Sequence, residues 1–377
     1  MTQRRIPAVF MRGGTSKAIL FHARDLPAER AEWDAIFLAA MGSPDPYGRQ
    51  LDGMGGGVSS LSKVCVIAPS QRGDADVDYT FAQVQVKEAR VDYGSNCGNM
   101  SSAVGPFALE EGLVPAAEGE AKVRIFNTNT KKLIHSTFAA RAGRAVVAGE
   151  FVIPGIAGTG APIRLDFLDP GGGATGRLLP SGSAIDVLEV PGVGKIEVSM
   201  VDAANACVFV AAAALGLRGT EMPDELERKR AAMEALAAIR LHASVAMGIG
   251  RTPDEARVRT AVPFIGFVSP AQDALTLSGE RLAATAADLT IRMLSNGQPH
   301  RALPVSASLC AAVAARIEGS VVWRAARRNA GETLRLAMPS GVLTVGAEAS
   351  CTNGVWRVAR GSFYRTARRL FEGCVYA

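Results

Sequence analysis

The pattern that most constrains this chain occurs twice: several strand-like segments in succession, then one helix of small residues that begins behind a polar turn. In the first half, strand patterns at 6–10, 18–21, 63–68 and 77–91 precede the turn Gly94-Ser95-Asn96-Cys97-Gly98-Asn99-Met100-Ser101. A helix of small residues runs on from there through Val104, Phe107 and Ala108 to Gly112. In the second half, patterns at 195–201, 207–211 and 262–268 precede Val305-Ser306-Ala307-Ser308, which opens a similar helix through Val313 and Arg316. Further strands are expected at 122–127, 133–139, 144–151, 334–338, 342–345 and 355–359. Strands in runs, without βαβ alternation, predict an α+β fold rather than a doubly wound parallel sheet.

Three other helices are expected. One follows Leu26-Pro27, with Trp33, Ile36, Phe37 and Ala40 on one face and Gly42 as its stop. A charged one covers 223–247 and a third covers 282–293, followed by a turn at Ser295-Asn296-Gly297-Gln298-Pro299. The 377 residues suggest two domains. The Pro/Gly-rich stretch 154–182 is the best crossing, which places the domains at 1–185 and 186–377, with the last strands free to return to the first.

A net charge of +5 is mild help for an anionic ligand and no nucleic-acid footprint. The arginines at 324–328 and 365–369 read as solvated faces. Residues 1–10 are basic but lack the apolar run of a signal peptide. The longest apolar stretch, 206–217, is too short to span a bilayer. Six cysteines without CxxC pairs argue for reduced thiols in a cytoplasmic protein, and four scattered histidines argue against a zinc site.

Three polar stretches carry the chemistry. Cys97 sits at the positive end of a helix, where free N–H groups favour a thiolate and attract anions. Met11-Arg12-Gly13-Gly14-Thr15-Ser16-Lys17 is a glycine-loosened turn rich in donors. Leu51-Asp52-Gly53-Met54-Gly55-Gly56-Gly57-Val58-Ser59-Ser60-Leu61-Ser62-Lys63 combines glycines, hydroxyls and a movable cation. It is neither a P-loop nor a dinucleotide fingerprint. Ser60 to Lys63 matches the SxxK pattern of serine hydrolases, but the companion Ser-Asp-Asn and Lys-Thr-Gly elements are missing.

Taken together, these stretches resemble the PrpF family of isomerases, along essentially the whole chain. The most specific matches are Met11 to Lys17, Asp52 to Gly56, Ser62-Lys63-Val64 and Asn96 to Asn99. Gly105-Pro106-Phe107-Ala108-Leu109 and His300-Arg301-Ala302 fit as well. The resemblance implies a diaminopimelate epimerase-like fold: two similar domains, each a curled, mostly antiparallel sheet or barrel around a central helix. It also implies a cofactor-independent isomerase of unsaturated polycarboxylates, of the 2-methylaconitate, methylitaconate or 4-oxalomesaconate kind, working in a cleft between domains. The loops 47–52 and 57–60 look more like the first two. No nucleic acid or membrane partner is implied, and a homodimer is left open.

The resemblance implies Lys63 and Cys97 as catalytic residues. As substrate-binding residues it implies Arg12, Thr15, Ser16, Lys17, Met54, Gly55, Gly56, Ser60, Ser62, Asn96, Gly98, Asn99 and Met100. In the second half it adds Asn205, His300, Arg301, Ser306, Ala307 and Ser308. The epimerases are more distant relatives. Their second catalytic turn falls at Val305 to Ser308, where no cysteine stands; Cys310 lies further along the helix, so a symmetric two-thiol racemase is not expected.

Moving a double bond by removing and returning an allylic proton needs a base, an acid and donors aimed at a dienolate-like anion. Two helix N-termini would supply such donors, and Arg12, Lys17 and Arg301 are candidate carboxylate partners. A lysine ordinarily titrates near about 10.4, so Lys63 either becomes a base by burial or stays charged while Cys97 moves the proton. A binding protein that holds a tricarboxylate without turning it over is the rival reading.

Overall fold

The computed structural model describes residues 3–93, 96–258, 262–295, 297–327 and 333–377. The chain forms two compact units, one built from residues 1–166 and 364–377 and the other from 167–363. The crossing therefore falls at Asp166/Phe167, not at 185/186. The 154–182 stretch is no simple linker, since a strand, Ile163–Leu168, runs through it. Residues 364–377 belong with the amino-terminal unit.

In the first unit, β1 (Arg5–Gly13) and β2 (Ser16–His22) form a hairpin, and β2 lies parallel to β3 (Lys63–Pro69). Antiparallel to β3 comes β4 (Val77–Val84), which in turn lies parallel to Gly119–Asn127. Lys132–Arg141 closes that side and Ala367–Tyr376 pairs with β1 on the other. Helix α1 (Trp33–Met41) fills the crossover between β2 and β3, and α2 (Gly98–Glu110) fills the one after β4. Gly42, with φ of 70°, ends α1 in the left-handed conformation.

The second unit repeats this plan strand for strand. Asp186–Val190, Gly194–Ala203 and Asn205–Ala211 are successively antiparallel. Phe264–Ser269 is parallel to the last of these, and Leu289–Ser295 is antiparallel to Phe264–Ser269. Thr333–Met338 is parallel to Leu289–Ser295, and Gly341–Thr352 returns antiparallel. The two rows share one order of pairings: antiparallel, antiparallel, parallel, antiparallel, parallel, antiparallel. Helix Arg230–Ala246 stands where α1 does and Val305–Ala314 where α2 does.

This repeat explains the main departures from expectation. The span 282–293 is not a helix: Leu289–Ser295 is a strand, because that slot is the counterpart of β4 and pairing overrides local apolar spacing. Its hairpin partner is Gln298–Pro299; Asn296 at the turn lies outside the described residues. The charged helix breaks at Lys229 into Pro223–Arg228 and Arg230–Ala246. Arg365 is buried at the end of Val355–Arg365, and Arg369 lies within Ala367–Tyr376 and is half-buried, so 365–369 is no solvated face. Arg324 and Arg327 are exposed, and Arg328 lies outside the described residues. Among the described residues no helix is long and apolar enough to cross a membrane.

Each sheet carries an outer helix on one face and a central helix on the other. Ile19, Phe21, Val64, Val66, Ala82 and Val84 pack with Ile36, Phe37, Ala40 and Met41 of α1. The alternate residues of the same strands face α2, whose positions 100–109 are all buried. A helix buried on every side must be surrounded by the sheet rather than laid on it. Gly105 marks how close that wrapping is, since a Cβ there would fall 2.5 Å from Ser136 Oγ and 2.8 Å from the Phe138 ring. In an ordinary helix Gly→Ala stabilises by up to about 1 kcal/mol. Here Gly105→Ala is expected to destabilise by about 1–3 kcal/mol through overpacking. A urea midpoint that rises in this variant would contradict the close fit.

Candidate functional site

Lys63 opens β3 opposite Ala18 of β2 and Gln83 of β4, on the face turned toward α2. The side chain is buried. Its Nζ donates to Gln83 Oε1 and lies 5.1 Å from the centre of the Phe81 ring. Gln83 cannot turn over, because its Nε2 donates to the carbonyls of Ser59 and Ser62, each at 3.0 Å. The lysine thus meets a fixed, neutral acceptor and an aromatic face. Cys65 and Tyr79 follow on this face, Sγ donating to the phenol oxygen at 3.8 Å. Burial pushes both the Cys65 thiol and the Tyr79 phenol up, and the neighbouring Cys97 adds to each. Cys65 is also within the field of Lys63, so the amine and the two thiols share one region.

Cys97 is the residue before the first turn of α2, half-buried, with extended backbone and no side-chain cap. Among the described residues no side chain caps the N–H groups of the first turn, the groups that a ligand or water takes up at a helix start. Gly94 and Ser95, which precede it, lie outside the described residues. Asn129, which sequence reasoning missed, holds the approach: its amide accepts from Phe81 N and donates to the Phe81 and Tyr93 carbonyls, each at 2.8 Å. A side-chain amide that continues the β4 ladder leaves no periodic signal in the sequence. Asn96 Oδ1 accepts from Ser101 Oγ at 3.2 Å, joining the turn to the helix.

The hairpin of β1 and β2 closes on this helix start. Gly13 pairs with Ser16, and Gly14, with φ of 51°, takes the first of the two loop positions. A Cβ on Gly13 would meet the Asn99 carbonyl oxygen at 2.6 Å, and one on Gly14 would meet Asn99 Oδ1 at 2.3 Å. Asn99 Nδ2 donates to Thr15 Oγ1 at 3.0 Å, while its Oδ1 accepts from Arg365 Nε at 2.9 Å. Arg365 Nη1 donates to the Tyr364 carbonyl at 2.9 Å. Burial lowers the Arg365 pKa to about 10, a thiolate at Cys97 opposing that fall. The sequence offered no sign of this arginine, which comes from the far end of the chain.

Several expected site residues have other duties. Arg12 and Lys17 are a cross-strand pair on the face of Ile19 and Phe21, opposite the one that carries Lys63. Arg12 Nη1 donates to the Gly14 and Thr366 carbonyls, each at 3.0 Å; burial and then Arg368 hold its pKa below the usual value. Lys17 Nζ lies 5.6 Å from the Phe10 ring centre. The backbone N–H groups of Met54 and Gly55 donate to the Ala40 and Met41 carbonyls at 2.9 and 3.2 Å, because the end of α1 needs donors. These two amides therefore do not approach a ligand.

Ser62 is fully buried, its hydroxyl donating to Gln50 Oε1 at 2.6 Å and lying 2.9 Å from the Val58 carbonyl. Gly57 N also donates to Gln50 Oε1, and a Cβ on Gly55 would fall 2.3 Å from the Gln50 amide. Gln50 is thus the post around which the loop folds, and Ser62 builds the loop rather than facing a ligand. Ser60 lies in a short 3-10 turn and is half-buried, whereas Lys63 already belongs to a strand, so SxxK here is not a helix-borne Ser–Lys pair. Ser16 and Met100 are buried, whereas Gly56, Ser60, Asn96 and Gly98 are partly or fully exposed.

In the second unit, Asn205 begins its strand after a turn at Ala204, whose φ is 60°. His300 is half-buried, its N–H donating to the Met293 carbonyl at 2.9 Å; burial lowers its ring pKa. Arg301 is exposed and pairs with Asp224 at 3.2 Å, a surface ion pair rather than part of a buried binding set. Ser306 stands in the first turn of Val305–Ala314, half-buried, while Ala307 and Ser308 are buried and the Ser308 hydroxyl donates to the Val305 carbonyl. Cys310 is buried too, with Sγ on the Val201 carbonyl at 3.3 Å. Its thiol is a core group.

Comparison with known proteins identifies the family. The chain is 39% identical to a 2-methyl-aconitate isomerase of Shewanella oneidensis over 99% of this chain and 97% of that protein. It is 40% identical to a 4-oxalomesaconate tautomerase of Pseudomonas putida, over 100% of this chain and 97% of that protein. The crystal structure of a methylitaconate Δ-isomerase superposes with a TM-score of 0.93 at 41% identity, covering 100% of this chain and 96% of the other. The family model described as PrpF protein matches residues 3–377, and the chain belongs to the PrpF family.

Proposed function

We propose that this protein isomerises an unsaturated di- or tricarboxylate of the 2-methylaconitate or methylitaconate type, by removing an allylic proton and returning it at another carbon. The observation that carries this reading is the juxtaposition in one unit of an amine, a thiol and a helix N-terminus. Lys63 lies on the α2-facing side of the sheet, Cys97 heads α2, and both are near enough to Cys65 to act on it electrostatically. One group takes the proton from the allylic C–H bond. The electron pair of that bond spreads through the double bond into the adjacent carboxylate, and a protonated group returns a proton at the far end of the allyl system. The N–H groups of the α2 first turn stabilise the charge on the carboxylate oxygens.

Lys63 is placed for the carrier role: its buried amine meets a neutral amide oxygen and an aromatic ring, with no carboxylate among the partners shown for it. Cys97 is its partner, half-buried where a reacting carbon could reach it. The choice of acid is not read from identity, because relatives at 39% and 40% bear the names of different substrates. The loops at 47–52 and 57–60 favour the methyl-bearing acids over 4-oxalomesaconate.

Two measurements bear on this. Incubated in D₂O with methylitaconate, 2-methylaconitate and 4-oxalomesaconate in turn, the protein is expected to exchange and shift the vinyl and methyl signals of the first two. Tight binding with no exchange in any of the three would make it a carrier, and activity on 4-oxalomesaconate alone would make it a tautomerase. Cys97→Ser and Lys63→Met are each expected to lower turnover at least about a hundredfold, the usual scale for a proton-transfer group. Half or more of wild-type turnover in either variant removes that residue from the chemistry.

A further inference from the structure

We infer that Gln83 is a positioning residue of this site: it ties the Lys63 amine to the backbone of the 59–62 loop, so that the loop sets where the amine stands. The inference rests on the reading of Lys63 as a proton carrier, and adds to it a residue that takes no proton itself.

Gln83 is the cross-strand neighbour of Lys63 in the β3–β4 ladder, on the face turned toward α2. It is half-buried, and its side chain is committed at both ends. The amide oxygen accepts from Lys63 Nζ. The amide nitrogen donates to the Ser59 and Ser62 carbonyls, each at 3.0 Å, and lies 3.3 Å from the Val84 carbonyl. An amide turned end for end would set its oxygen against three carbonyl oxygens, so one orientation is held. The ladder already joins β3 to β4, so the side-chain amide is not needed for that.

Lysine carries its amine on a flexible four-carbon stem, and strand register fixes only the first atoms of it. The amine itself is held by the Gln83 oxygen, with the centre of the Phe81 ring 5.1 Å away. At the other end of the amide, Ser59 opens the 3-10 turn Ser59–Leu61 and Ser62 follows it. That stretch is in turn fixed by Gln50, which accepts from Gly57 N and from the Ser62 hydroxyl. A chain of contacts therefore runs from Gln50 through the loop and Gln83 to the amine. Proton transfer at carbon needs the carrier close to the reacting atom, and a misplacement of about 1 Å costs about a hundredfold. In an allylic shift the position of the carrier also decides which carbon receives the proton. Both depend here on Gln83, and through it on the backbone of 59–62.

Turnover in D₂O of whichever of the three acids the protein isomerises tests this, read by NMR as two rates. One is the return of solvent deuterium to the original carbon of recovered substrate; the other is its delivery to the far carbon in product. Gln83→Met removes both ends of the tie at nearly the same length. Gln83→Glu keeps an acceptor for the lysine but removes the donor to the loop. Both are expected to lower turnover at least about thirtyfold, with KM within about threefold of wild type. The ratio of the two deuterium rates is expected to shift at least about threefold. A merely structural loss lowers both rates together and leaves their ratio unmoved, and that result overturns the proposal. Turnover within about threefold of wild type in either variant does the same, and a Gln83→Glu variant with the wild-type ratio overturns the tie to the loop. Failure of the isomerase reading looks different: no acid exchanges, with the Gln83 amide still held. If neither variant folds, the unmutated protein answers. Its Gln83 side-chain N–H protons should exchange with solvent at least about tenfold more slowly than those of an exposed glutamine, and exchange as fast as an exposed side chain overturns the proposal.

Discussion

The site depends on one close approach, that of the β1–β2 hairpin backbone to the first turn of α2. Gly13 and Gly14 have no room for a Cβ because the Asn99 carbonyl and side-chain amide occupy it. That contact sets where the helix starts relative to the sheet, and hence where the N–H groups of its first turn point. Everything else in the first unit's candidate site is referred to it. Thr15 and Arg365 hold Asn99 from two sides, and Asn129 anchors the strand end that leads into the turn. Lys63 stands on the neighbouring strand, directly across from Ala18.

A second constraint governs Lys63. Its amine reaches the α2 face because strand alternation puts it there with Cys65, while Val64 and Val66 go to the α1 core. The loop ahead of it is long and rich in glycine, and what makes it definite is Gln50. That buried amide takes the Ser62 hydroxyl and the Gly57 N–H, so the chain enters β3 in one register. The glycines of this loop allow close packing against Gln50 and the end of α1 instead of a ligand cradle.

What was legible in the sequence follows the range of each signal. The α+β class, α1 with its Gly42 stop, and the paired helices behind Cys97 and Ser306 were readable, because periodicity and end signals are local. The strand Leu289–Ser295 was not, since Thr290 and Ile291 are fixed by neighbours distant in sequence. Motif matching placed Lys63, Cys97, Asn99 and Thr15 in one unit, and the structure brings Thr15 and Asn99 into contact. It could not say which glycine amides were already spoken for, nor that Arg12 and Lys17 stand on the other face of their strands. Gln83, Asn129 and Arg365 were invisible for a shared reason: each acts through side-chain contacts that span tens or hundreds of residues.

The matched rows of strands have one asymmetry. The second unit draws its row from continuous chain, whereas the first takes an edge strand, Ala367–Tyr376, from beyond the whole of the second. A ribosome therefore finishes 167–363 before the first unit can obtain its last strand or the Arg365 that accompanies it. Until then Asn99 lacks its Arg365 partner and β1 has an open edge. The order of synthesis leaves the Cys97 turn and the β1 edge unfinished until 167–363 have been made, so a partly made chain carries the thiol without the Asn99–Arg365 contact.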